Sequence, residues 1–307
     1  MESRPRVPVL LDTDIGSDID DALCLIYLLN HPACELVGVT TVRHDPVRRA
    51  KLVDALCAAN GRTDMPIYAG HGAPLIIDDP GRGVPQAEVL KRWKHRNHFK
   101  AFEAVAFMRE VIRSRPGEIT LLAVGPLTNV ALLFRMDPEI PALLKGFVSM
   151  IGGFSFSQGR FHYPSEANAR LDPHAAAMVF RTQGLVVDVV SLDVTQQCRI
   201  PTDRLTQALA SADMEIVKEM MQVWGRSREW VTFHDPLAAV SIFSDQLLEY
   251  DEGSVTVEIS ATHPKVVGLT VWDDESRGPF RHRRAVRVDV DRFFADYFSI
   301  VGALNPL

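Results

Sequence analysis

Apolar runs long enough to cross a bilayer are missing from this chain: no stretch approaches the roughly 18 residues a spanning helix needs, which excludes such a helix. The run before Asp12 is short and preceded only by Arg4 and Arg6, so no secretory signal is expected. Cysteine is scarce. Cys24, Cys34, Cys57 and Cys198 show no C-x-x-C spacing, and three of them fall in apolar patterns. That speaks against a disulfide framework or thiolate metal site and for reduced core thiols in the cytoplasm. Excess positive charge is absent too, with Lys+Arg 33 against Asp+Glu 39, a net charge of −6 and a pI near 5.9. No nucleic-acid partner is expected from that balance, nor any membrane partner. The basic run from Lys91 to His98 is the local exception and reads as a solvated face or loop. There is no Pro/Gly/Ser-rich linker and no internal repeat, so the 307 residues are expected to form one domain with insertions.

Aspartate, by contrast, is concentrated. Asp12, Asp14, Asp18, Asp20 and Asp21 fall within ten residues directly after the apolar run Val7 to Leu11. Carboxylates so close repel one another, and a hard divalent cation, which takes oxygen rather than nitrogen or sulfur, is the natural counter-charge. The plainer alternative is an acidic turn capping the helix that follows, since Asp20 and Asp21 suit the first turn of a helix over Ala22–Asn30. An EF-hand loop starting at Asp12 is excluded, because Gly16, Ser17 and Leu23 occupy its positions 5, 6 and 12. A phosphatase-type aspartyl nucleophile is a weaker rival, as it needs no further acids downstream.

Short apolar runs alternate with helical patterns through the first two thirds: strands at 7–11, 36–42, 66–69, 119–124, 147–151 and 185–192, helices near 46–60, 101–115, 127–135 and 173–183. Strands apolar throughout and joined by helices predict an α/β fold with an open, mostly parallel sheet covered on both faces. Ligands then bind beyond the carboxyl ends of the strands, which selects Asp12 and Asp14, Arg43 to Asp45, Val124 to Pro126, Gly152 to Phe154 and Asp193. The last third is more helical, near 202–210, 213–230 and 236–243, and ends in alternating runs at 255–259, 266–272 and 285–290 before a helix over 291–303. Residues 78–99 are the least periodic and are expected to form a mobile lid.

The acidic stretch, Val124-Gly-Pro-Leu-Thr-Asn129, Ile151-Gly-Gly-Phe154, Glu166-Ala-Asn168, Leu171-Asp-Pro173, His234-Asp-Pro236 and Arg292-Phe-Phe294 together resemble the inosine-uridine type nucleoside hydrolase family, over nearly the whole chain. The resemblance implies an open α/β sheet with one Ca2+ at the bottom of the pocket, hydrolysis of the N-glycosidic bond of ribonucleosides, and a homodimer or homotetramer. It also implies the site. Asp14, Asp21, the Val124 carbonyl and Asp235 would ligate calcium, with Asp14 also the base toward water; Asp20, Asp45, Glu166 and Asn168 would contact substrate; His234 would sit near the leaving base.

Each segment also has a plainer reading: Pro126 opening a helix, Glu166 and Asn168 facing solvent in a loop, Asp235 capping with an exposed His234. Asp172-Pro173 is assigned to capping outright. The chain departs from the family in three places: the acidic motif carries two extra residues and Ile15 in place of Pro, His44-Asp45 replaces Gly-Asn, and Arg160 replaces Asn after Gly159. Arg160 would meet an anionic or enlarged 5′ group, or fold away, which leaves a modified or 5′-substituted riboside open as substrate; the two-residue insertion, which could displace the base Asp14, leaves open a non-catalytic nucleoside-binding protein. Trp93, His95 and His98 fall where the family's lid lies. Phe154, Phe156 and Trp230 are read as core rather than base-stacking groups.

Overall fold

The computed structural model describes residues 6–79, 81, 83–157, 160–161, 165–209, 214–225, 228–260, 266–275 and 278–302. The strands are β1 (Val7–Thr13), β2 (Cys34–Thr41), β3 (Ile67–Ala69), β4 (Thr120–Ala123), β5 (Gly146–Met150), β6 (Phe156–Ser157), β7 (Arg160–Phe161), β8 (Asp188–Val190), β9 (Arg199–Pro201), β10 (Trp230–Thr232), β11 (Leu248–Val257), β12 (Thr270–Asp273) and β13 (His282–Val288). Nine of them form one sheet in the order β12-β11-β13-β8-β5-β4-β1-β2-β3. From β13 to β3 every neighbouring pair is parallel, and β11 and β12 extend the sheet antiparallel. The mostly parallel sheet is as the alternation of elements predicts.

Side chains alternate across a strand, so a strand apolar at every position must bury both its faces. In β1, Val9 and Leu11 pack on one side of the sheet and Leu10 on the other, all fully buried. The first side is covered by α1 (Asp20–Asn30), α2 (Pro46–Ala59) and later helices, the second by α3 (Ala104–Ser114) and α4 (Thr128–Met136). After α5 (Ile140–Leu143), α6 (Ala167–Leu171) leads into α7 (Pro173–Phe180), also on the second side. Then follow α8 (Leu192–Thr195), α9 (Thr202–Ala208), α10 (Glu215–Trp224), α11 (His234–Val240) and α12 (Val290–Val301). Each fully buried Leu, Ile or Val contributes about 1.5–3 kcal/mol. α1 is buried from Asp20 to Leu28, and α12 closes over it, Tyr297 donating to the Leu23 carbonyl at 3.0 Å and Tyr27 to Asp296 at 2.7 Å.

Two stretches differ from the sequence patterns. The helix expected over 213–230 stops at Trp224, and Trp230–Thr232 becomes β10, pairing antiparallel with β9. β11 begins at Leu248 rather than near 255, because its acidic residues are not core breaks: Glu249 and Asp251 face Arg287 and Arg284 on β13 at 3.3 and 3.8 Å. All four cysteines are buried and free. Among the described residues no helix is long and apolar enough to cross a membrane.

Candidate active site

β1 delivers the acidic stretch to the carboxyl end of the sheet, between β2 and β4. Asp12 lies within the sheet, opposite Thr40 and Ala123, and is fully buried. Its Oδ1 accepts from the Thr40 hydroxyl at 2.7 Å and from Asn129 Nδ2 at 2.8 Å, while Oδ2 has no hydrogen-bond partner among the described residues. Burial pushes its pKa up to about 7, against the two hydrogen bonds that favour the anion. Thr13, next along, donates its hydroxyl to Asp21 at 2.5 Å. Asp14 follows at the strand's end. Its Oδ2 meets Arg43 Nη1 at 3.1 Å, and its main-chain carbonyl accepts from the fully buried Arg49, which also holds the Ile15 carbonyl at 2.8 Å and Ser17 Oγ at 3.0 Å.

The chain then turns at Gly16, whose φ of +106° only glycine adopts readily. Space makes the same demand, since a Cβ there would lie 2.5 Å from Val84 and 2.6 Å from Leu52. The turn hands the chain to α1, whose first turn carries Asp20 and Asp21, and α11 brings Asp235 to the same point. Carboxylate oxygens of Asp20, Asp21 and Asp235 all lie within 4.8 Å of one another, and the residues are only 5%, 4% and 3% exposed. Asp235 N–H reaches Asp20 Oδ2 at 3.4 Å. Burial first, then repulsion from neighbouring aspartates, chiefly Asp18 on Asp20, Asp14 on Asp21 and Asp20 on Asp235, raises all three pKa values well above the usual carboxylate value. Such a trio holds protons or a cation. Its donors are all carboxylate oxygen, which fits a hard divalent ion and no softer metal.

Val124, at the end of β4, presents a carbonyl that accepts from Asn168 Nδ2 at 2.9 Å, and Asn168 also reaches the Met150 carbonyl at 2.9 Å, tying β4, β5 and α6 together. Glu166 is buried and caps α6, accepting from Asn168 N–H at 2.7 Å and from Ala169 and Gly152 N–H at 3.0 Å each. Neither residue is the solvent-facing loop group of the plainer reading. His234 opens α11, half-buried, with Nδ1 against the Thr195 hydroxyl at 2.7 Å. Although part of the ring reaches the surface, its dense surroundings lower its pKa to about 4, so it is neutral at pH 7. Asp45 is not brought to the cluster: its carboxylate caps α2 through Arg48 N–H at 3.0 Å, and it lines a separate cleft with Lys51 and His95. Asp172 caps α7 as expected.

The sequence matches the family model described as inosine-uridine preferring nucleoside hydrolase over residues 9–295. The chain belongs to this family. It is 31% identical over 289 residues to "Uridine nucleosidase 1" of Arabidopsis thaliana, covering 86% of this chain and 81% of that one. It is likewise 31% identical over 306 residues to "Non-specific ribonucleoside hydrolase RihC" of Salmonella typhi, covering 95% and 98%. Among solved structures, "Plant nucleoside hydrolase - PpNRh1 enzyme" superposes with a TM-score of 0.84 at 23% identity, over 97% of this chain and 99% of that one, which establishes the fold.

Beside the acidic cluster of this nucleoside hydrolase lie residues that the sequence analysis did not single out. Arg49 is the chief one. It sits on α2 in register with Leu52, Val53 and Leu56, all buried, and an arginine on an apolar face is the signal that marks a buried partner. Asn129 spans the sheet, donating to Asp12 and to the Thr41 carbonyl at 3.1 Å and accepting from His71 N–H at 3.0 Å. Within the stretch expected to be a mobile lid, the described residues make several contacts with the rest of the chain. Pro85–Lys91 is a 3-10 helix, Gln86 donates to the Asp18 carbonyl at 2.7 Å, Trp93 and Arg92 reach Glu219 at 3.1 and 2.7 Å, and Arg96 pairs with Asp54 at 2.7 Å. His95 bonds the Trp93 carbonyl at 2.8 Å. Phe154 is buried against Trp272, as expected of a core residue, but Trp230 is 44% exposed and stacks under Arg199 at 4.7 Å. The side chains of Phe156 and Arg160 lie outside the described residues.

Proposed function

We propose that the chain is a cytoplasmic, homo-oligomeric, calcium-dependent hydrolase that splits ribonucleosides into ribose and free base. The observation that carries this reading is the buried trio Asp20, Asp21 and Asp235 beside Asp14 at the carboxyl end of the parallel sheet. Asp21 and Asp235 of that trio, with Asp14, which lies outside it but close enough for its charge to act on both, and the Val124 carbonyl would hold the cation, Asp20 keeping an oxygen for substrate and the carbonyl having a second lone pair besides the one Asn168 uses. Calcium suits a mixed set of carboxylate and carbonyl oxygens better than magnesium, which demands a smaller, strictly octahedral shell. When bound, such an ion anchors hydroxyl oxygens and favours ionisation of a water.

The chain's own groups do the rest. Asp14 takes a proton from the attacking water through its carboxylate, its main chain held in place by Arg49. Asp20 accepts from a ribose hydroxyl, while Asn168 and Glu166 frame the sugar beside Val124. Positive charge developing on an oxocarbenium-like sugar is met by these fixed carboxylates. His234, tied to Thr195 through Nδ1 at 2.7 Å, meets a ring nitrogen of the leaving base through Nε2; the base departs with one proton, balanced by the one Asp14 takes from water. Both named relatives act on ribonucleosides, one of them on uridine. Ribose release from a panel of purine and pyrimidine nucleosides, with chelator and then added calcium, tests the reading. Chelator-sensitive release that calcium restores is expected. Release indifferent to chelator would remove the metal from it, and no release with calcium bound would favour a binding role.

A further inference from the structure

Asp14 is not a bare carboxylate awaiting a cation. Arg43 Nη1 lies 3.1 Å from its Oδ2, and Arg43 Nε lies 2.9 Å from Asp79 Oδ2, so one guanidinium bridges two acids whose side chains are only 10% and 7% exposed. The backbone is bent to aim it there. Arg43 and the next residue, His44, both take left-handed conformations, φ +73° and +55°, that side chains other than glycine seldom adopt. Their N–H groups are held by the His71 and Gly72 carbonyls at 2.8 and 2.5 Å. Strain at two consecutive residues, held by two main-chain bonds, points to a placed group rather than a stray surface arginine.

A cleft of about 610 Å³ opens beside Asp79, lined also by His44, His71, Asp78 and Phe102 and by none of the acid trio. Resting on the metal-centre reading above, we propose that Arg43 is an internal competitor for the cation: it neutralises Asp14 when no metal is held, and loading the centre moves its guanidinium off Asp14 while Asp79 retains it. A guanidinium 3.1 Å from Asp14 Oδ2 repels a cation on the same carboxylate, so holding one weakens the hold on the other. Arg43 thereby sets how tightly the centre takes its ion. Arg49 cannot play this part, because it holds Asp14 by the main-chain carbonyl.

Calcium binding to the full chain, measured by titration calorimetry against a competing chelator, tests the proposal without relying on turnover. Arg43→Met keeps the apolar stem and removes the charge, and is expected to bind calcium about tenfold tighter. Asp79→Asn removes the refuge of the displaced guanidinium and is expected to bind it several-fold more weakly. In wild type, the Arg43 Nε–H resonance should move when calcium is added. Arg43→Met binding equal to or weaker than wild type, with an unchanged circular dichroism spectrum and melting temperature, would overturn the proposal. If that variant does not fold, Asp79→Asn decides: unchanged or tighter binding overturns it. A wild-type chain that binds no calcium would sink the metal-centre reading and this proposal together, whereas binding that Arg43 leaves untouched would sink the proposal alone.

Discussion

Asp14 stands between two arginines, one on its carboxylate and one on its carbonyl, so its side chain can lose charge without losing its place. Asp14→Asn is therefore expected to fold and melt much as wild type while turnover falls by roughly 10²–10⁴-fold, the range for a lost general base. A near-normal rate would take Asp14 out of the mechanism. His234→Ala should slow release of purine and pyrimidine bases yet spare p-nitrophenyl riboside, whose leaving group departs unaided. Equal loss on both substrates would contradict its role at the leaving base. His234 also carries a pH signature. Its pKa falls from 6.5 to about 4 on folding, so between those values the unfolded chain binds the extra proton and the fold loses stability as pH drops. Urea midpoints compared across that window should fall less steeply for His234→Gln than for wild type.

The turn at Gly16 and the cap at Asp172 show how single positions hold whole elements in place. At Gly16, alanine would strain the backbone and press its Cβ onto Val84 and Leu52, separating the 3-10 helix and α2 from the acidic loop. Gly16→Ala should cost about 2–4 kcal/mol, read as a lower denaturant midpoint. Asp172 does more than cap. It accepts from Ala175 N–H at 3.0 Å, Leu75 N–H at 2.9 Å and the Thr128 hydroxyl at 2.7 Å, joining α7, α4 and the loop after β3. Its capping role is legible in Asp-Pro, because the signal is local. Its two longer bonds are not, since their donors lie 97 and 44 residues away. The same distinction explains β11, whose acidic positions look like loop until β13 supplies the arginines.

Across the whole molecule, the acid cluster is a liability that a bound cation turns into stability. Asp12, Asp20, Asp21 and Asp235 are buried with raised pKa values, and two arginines cannot neutralise them all. Calcium at a hundredfold excess over its dissociation constant should stabilise the fold by about 2.7 kcal/mol if the unfolded chain does not bind it. The check is the melting temperature with chelator and with calcium. No difference between the two would mean that the trio shares protons rather than an ion.

The alternation of apolar strands and helices, and the crowding of aspartates after the first strand, are local patterns, and they were enough to determine the parallel sheet and the end of it where chemistry happens. Asp20 and Asp21 could be placed on the first turn of α1 by the same means. What only the tertiary structure decided is which charges meet. Asp235 joins the trio from 214 positions after Asp21, and no periodicity encodes that approach. Arg43 reaches Asp14 because β2 lies beside β1 and the backbone turns left-handed at its end, and it meets Asp79 from 36 residues away. Asp45, two residues after Arg43, uses its carboxylate to cap α2 instead. Electrostatic partnership depends on distance through space, which a linear pattern reports only when the partners share an element.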